Sequence, residues 1–164
     1  MKVYIAHPMP TRHRIRDTIC PAIQSLGIHT LNPFYNEDGT HREDRPEIKA
    51  IDDGTMGEYG VKNIQLAEEI VNRDLEKIRS SDGLVAMLDE EGVIGIGTPM
   101  EIFYCARWCK KPVFIVTSKY YGHPWLNYLA SLSNGAVVGS VEELFSRLQL
   151  WKKREGLYEE RKDT

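Results

Sequence analysis

The chain has 164 residues, 18.8 kDa, 41% of them apolar and 27% charged, a size that suits one domain spanning 1–164 and burying about 70% of its unfolded surface. Twenty-one basic against 24 acidic residues leave a net charge of −3, which provides no field to draw in nucleic acid or an anionic membrane surface. No apolar run approaches the ~20 residues of a spanning helix, Met1–Pro8 lacks a signal-peptide layout and three cysteines make no disulfide framework, so a cytoplasmic, reduced protein is expected.

Lys2–Ala6 reads as a first strand, rich in β-formers, and His7–His13 as the loop leaving it. Ile15, Ile19, Ile23 and Leu26 then recur at helical spacing. Gly27 is the expected stop, and Pro21 predicts a kink or a late start. Ile28–Leu31 forms a second short strand, ended by Asn32-Pro33. From Phe34 to Gly60 the periodicity dissolves into a segment with eight acidic and three basic residues. A loop this long inside a compact domain is either a solvated insertion or a lid over a site, and both readings stand.

Val61–Ser80 is the clearest helix, with Ile64, Ala67, Val71, Leu75 and Ile78 in one stripe. Gly83–Leu88 follows as a third strand, apolar throughout and suited to burial on both faces. Asp89–Gly97 is a glycine-rich loop leading into a helix from Thr98 to about Lys110. Lys111–Thr117, Pro124–Ser133, Ala136–Val138 and Val141–Lys153 read as strand, short helix, strand and last helix. A charged tail follows Gly156. Such alternation predicts an α/β fold: a five-stranded parallel sheet with helices on both faces, Rossmann-like and flavodoxin-like in strand order. Ligands then bind at the carboxyl ends of the strands, among His7–His13, Asp89–Gly97 and Ser118–His123.

Two features there carry chemistry. On the helical wheel Asp74 lies within the apolar arc, between the main stripe and Ile70. A carboxylate so placed must be paired, hydrogen-bonded or protonated. It is either a structural ion-pair partner or an acid in a cleft. Thr98 and Glu101 are spaced as a capping box, with Pro99 at the first helical position. The same geometry suits a nucleophilic carboxylate, because the positive end of the helix keeps it ionised and fixed in direction.

Other side chains have simpler readings. Cys105 and Cys109 share a helix face but lack the further ligands a structural zinc requires. His7 and His123 follow strand ends, where they either line the pocket or are ordinary loop histidines. Trp108 and Trp125 suit packing or a subunit interface. The glycine loop matches neither the dinucleotide fingerprint nor the P-loop, so no metal or organic cofactor is expected. Gly95 and Gly97 instead suit a close approach of backbone to a ligand.

Val3-Tyr4-Ile5-Ala6, Asn72–Val85, Gly97-Thr98-Pro99-Met100-Glu101, Lys111-Pro112-Val113 and Gly122–Asn127 occur in an order and spacing that resemble the nucleoside 2-deoxyribosyltransferase family. The resemblance covers Lys2 to Gln149 apart from the segment 34–60. It implies a five-stranded parallel sheet between helices, oligomeric assembly, and a glutamate that attacks C1′ of a deoxynucleoside to release the base. A second base or water then collects the sugar. By resemblance Glu101 is that nucleophile, Asp74 a partner near the departing base, and Tyr4 the tyrosine that positions the nucleophile. Asn127 matches a residue that reaches into the neighbouring subunit's site to hold sugar hydroxyls.

The chain departs from the family pattern at Gly95, where many relatives carry a base-contacting aspartate, and at Phe103, where glycine is usual. Asp89, earlier in the same loop, is the candidate substitute. Both changes bear on base preference, and the first bears on transfer itself. Related hydrolases of nucleoside 5′-monophosphates share the glutamate and hold phosphate through the first loop, on or near which Arg12, Arg14 and Arg16 lie. Those arginines read equally as a solvated helical turn. The expected function is N-glycosidic cleavage through a glycosyl-Glu101 intermediate, with transfer to a second base, in a homo-oligomer with shared active sites. Catalytic roles go to Glu101, Asp74 and Tyr4, and substrate contacts to His7, Arg12, Asp89, Gly95, Gly97 and Asn127. The partners are a nucleoside or nucleotide and a free base. Monophosphate hydrolysis is the alternative, and a non-catalytic nucleotide sensor on the same fold is a third reading.

Overall fold

The computed structural model describes residues 1–36, 40, 64–89 and 95–162. Whether Phe34–Gly60 is a lid or an insertion, and whether the second helix begins at Val61, fall largely outside those residues. Five parallel strands form one sheet in the order β2-β1-β3-β4-β5: β1 Lys2–Ala6, β2 His29–Leu31, β3 Gly83–Met87, β4 Val113–Val116 and β5 Ala136–Val138. This is the expected flavodoxin-like order, with β1 paired in register to β2 (Lys2↔His29) and to β3 (Val3↔Gly83).

Alternation along the strands separates two cores. Val3, Ile5, Val85, Met87, Phe114, Val116 and Val138 face Ile15, Ile19 and Ile23 of the first helix and Leu144, Leu148 and Trp151 of the last. On the opposite face Tyr4, Ala6, Leu84, Ala86, Ile115 and Val137 meet Ile78, Ile102, Cys105, Ala106, Leu126 and Leu129. Tyr4 therefore lies under the same helices that carry Asp74 and Glu101.

The first helix, α1, runs unbroken through Arg12–Arg14, a π-helical stretch Ile15–Ile19, and Cys20–Ser25. Pro21 neither delays the start nor ends the helix. A π-helical turn immediately before it widens the backbone where proline offers no N–H to the preceding turn. Gly27, at φ +71°, ends the segment as expected. α2 is Ile64–Ser80. The carbonyls of Ile78 and Arg79 in its last turn and of Ser81 just beyond it all accept from Lys111 Nζ, a cation at the negative end of the helix. α3 is Gly97–Phe103, continuing as a π-helical stretch Tyr104–Cys109 that Lys110 ends in the left-handed conformation. α4 is Pro124–Leu132, and α5 runs from Val141 to Lys162, through Gly156 and past the expected end at Lys153. No helix among the described residues is long and apolar enough to cross a membrane.

Gly135 precedes β5 against the backbone of β4. A Cβ there would lie 1.8 Å from the Val113 carbonyl oxygen, so only glycine fits this approach.

Candidate active site

At the carboxyl ends of the strands around β1, whose junction with β3 is where the strand order reverses, a cavity of about 380 Å³ opens between α2 and α3. His7 and Pro8 of the β1 loop, Pro33 and Phe34 beyond β2, Ile70, Val71, Asp74 and Leu75 of α2, and Gly95, Gly97, Thr98, Met100 and Glu101 line it. The wall is mainly apolar, with a few polar groups converging on the interior, which is the usual build of a small-molecule site.

Glu101 is half-buried, and its Oε1 accepts a hydrogen bond from the Tyr4 hydroxyl at 2.6 Å. Tyr4 is fully buried in β1, so the sheet holds the donor and α3 holds the acceptor. Such a short bond to an ionised oxygen is of the stronger, charge-assisted kind. The capping box expected of Thr98 and Glu101 does not form. α3 begins one residue before Thr98, its cap Ile96 has helical backbone and no side-chain capping bond, and Thr98 lies inside the first turn, 2% exposed. Glu101 is thereby directed to Tyr4 and the cavity.

Asp74 is half-buried on the cavity wall. Val71, expected in the buried stripe, is 52% exposed, because this part of α2 borders the cavity rather than packing fully against the sheet. His7 is buried, with Nδ1 3.0 Å from the Pro8 carbonyl oxygen and its ring edge-on to Phe34 at 5.0 Å. A carbonyl can only accept, so Nδ1 carries the proton.

The cavity thus gathers His7, Asp74, Gly95, Gly97 and Glu101, with Tyr4 beneath. Other candidates lie apart from its described lining. Arg12 is buried and its Nη1 donates to Met9 O at 3.3 Å. Arg14 is exposed, and Arg16 pairs with Asp17 and covers the Tyr35 ring at 4.8 Å. Asp89 Oδ2 accepts from Lys119 N at 3.0 Å and Ser118 Oγ at 3.4 Å, tying the loop after β3 to the loop after β4. Asn127 is exposed, and its Nδ2 donates to Tyr121 O and His123 O at 2.9 and 3.1 Å. His123 is exposed as well. Cys105 is buried and Cys109 half-buried; burial pushes the Cys105 thiol up to about 12, which suits a packing role.

The apolar wall went unanticipated. Pro33 and Phe34 follow the carboxyl end of β2, which lies beside β1; a loop at a strand's carboxyl end was the available signal.

The sequence model described as nucleoside 2-deoxyribosyltransferase matches residues 3–142. A 2-deoxyribosyltransferase from the psychrotolerant bacterium Bacillus psychrosaccharolyticus has a similar fold, with a TM-score of 0.54 at 18% identity over 88% of this chain and 90% of that one. No curated protein matches the chain.

Proposed function

The chain belongs to the nucleoside 2-deoxyribosyltransferase family, and from that membership we propose that it cleaves the N-glycosidic bond of a deoxynucleoside through a glycosyl-Glu101 intermediate and passes the 2-deoxyribosyl group to a second base. The observation that carries this reading is the 2.6 Å Tyr4–Glu101 bond at a cavity that Asp74 also lines. With Oε1 engaged by Tyr4, the other carboxylate oxygen attacks C1′. The C1′–N bond breaks, its electron pair leaves with the base, and a base nitrogen takes a proton from Asp74. A nitrogen of the incoming base then attacks C1′, the ester bond breaks, and Glu101 regains its carboxylate. Asp74 recovers the proton that the second base sheds. Two displacements at C1′ retain its configuration.

Trp108 and Trp125 are 65% and 61% exposed, and Tyr128 lies edge-on to Trp125. An aromatic face of this kind fits a subunit contact better than solvent. In this reading a second copy covers it, and Asn127 serves the neighbour's site.

The test is incubation with a deoxynucleoside and a second free base, followed by chromatography, with nucleoside 5′-monophosphates in parallel. Base exchange supports the transferase. Release without exchange, or turnover of monophosphates alone, replaces it with hydrolysis, and binding with neither replaces it with a sensor.

A further inference from the structure

Every residue between Thr117 and Leu126 is exposed, so the core does not hold the segment that leads from β4 into α4. Hydrogen bonds hold it instead. Asp89, just beyond β3, accepts through Oδ2 from Lys119 N at 3.0 Å and from Ser118 Oγ at 3.4 Å. Tyr120 N donates to Thr117 Oγ1 at 3.0 Å, and His123 N to Tyr120 O at 2.9 Å. Asn127 Nδ2 closes the series on Tyr121 O and His123 O. Among these bonds only those to Asp89 reach outside the segment, and a carboxylate is a stronger acceptor than a neutral oxygen.

We propose that Asp89 is a positioning residue that acts in the neighbouring subunit's site: by anchoring residues 118–123 it sets where Asn127 is presented to that neighbour. The inference rests on the shared-site reading above. It moves Asp89 from a substrate contact to the support of one. Asp89 stands at a junction, because the loop it begins leads to Gly95 and Glu101 of its own site, whereas the segment it grips carries Asn127.

Complementation separates those two sites. Asp89→Ala should lower kcat/KM by about tenfold or more, while Asp89→Asn, whose amide oxygen still accepts from Lys119 N, should keep most of the activity. Mixed with Glu101→Ala, Asp89→Ala should gain activity above the mean of the two parents. Its intact nucleophile then meets a well-held Asn127 from the other chain. Mixed with Asn127→Ala it should gain none, since neither chain offers a well-placed Asn127. A tagged pull-down confirms that each pair shares oligomers. Recovery with Asn127→Ala puts Asp89 to work in its own site and overturns the inference. So does an Asp89→Ala protein of wild-type activity. Failure with Glu101→Ala also overturns it, as the mark of a general structural role, provided that Glu101→Ala with Asn127→Ala recovers. If that control pair forms mixed oligomers without recovery, the shared-site reading itself falls and takes the inference with it.

Discussion

Tyr4→Phe deletes one oxygen and keeps the ring that packs among Ile78, Ile102 and Cys105. The hydroxyl sits 2.6 Å from Glu101 Oε1. A hydrogen bond to a charged acceptor is worth about 1.5–3 kcal/mol, which corresponds to a loss of about 10- to 150-fold in rate if the bond orients the attacking carboxylate. Stability should fall by only about 1 kcal/mol, since Glu101 borders the cavity and water can take the place of the hydroxyl. Because Tyr4 lies beneath the cavity rather than on its wall, the loss should appear in kcat with KM nearly unchanged. Steady-state kinetics of base release, with thermal melting of both proteins, provide the measurement. A kcat within about threefold of wild type, or a loss confined to KM, would refute the positioning role of Tyr4.

Glu101→Ala should abolish turnover while the protein still melts cooperatively, because α3 has no capping bond to lose; substantial residual base release would exclude the covalent route. Asp74→Asn should slow departure by about 10²–10⁴-fold, and most for bases that leave poorly without protonation; an equal loss for every leaving group would make Asp74 positional. Mixing inactive Glu101→Ala with inactive Asn127→Ala should restore activity in proportion to mixed oligomers, and confirmed mixed oligomers without recovery would exclude the shared site. Cys105, pushed up to about 12 by burial, keeps its proton in the folded chain while the unfolded thiol, near 9, releases it. The folded state then binds more protons between those values, so stability falls as pH rises from about 9 towards 12; Cys105→Ala should lessen that fall, and parallel alkaline denaturation curves would contradict it.

The strands were legible because each is a short apolar run bounded by glycine, proline or charge, and five of them separated by helical patterns admit few topologies. β1 and β5 match their expected limits, while β3 and β4 lie within theirs. Harder to read was what tertiary contact decides. The Thr98–Glu101 spacing met every local condition for a cap, yet α3 starts a residue earlier and Glu101 turns to a tyrosine 97 residues away in sequence. Gly156, a helix stop by propensity, is carried within α5, and the cost of one glycine, about 1 kcal/mol, is small enough for the rest of the helix to absorb. At the site, Glu101, Asp74 and Tyr4 were visible as a carboxylate at a helix start, a carboxylate in an apolar arc and a strand tyrosine in a familiar order. Pro33 was not, since nothing local marks it as part of a wall until β2 is known to lie beside β1, and Phe34 was legible only as the start of a segment that reads either as an insertion or as a lid.

The central position of β1 has a consequence for synthesis. Of the five strands described it leaves the ribosome first, and β2 can cover one of its edges after some thirty residues, yet its other edge pairs with β3, beginning at Gly83. At about 5–20 residues per second, the roughly eighty residues between them take about 4–16 s. Through that interval the apolar edge of Val3-Tyr4-Ile5-Ala6 is open to any other extended chain, which is the contact that seeds misassembly. Glu101 emerges later still, so its bond to Tyr4 cannot form until the centre of the sheet has closed.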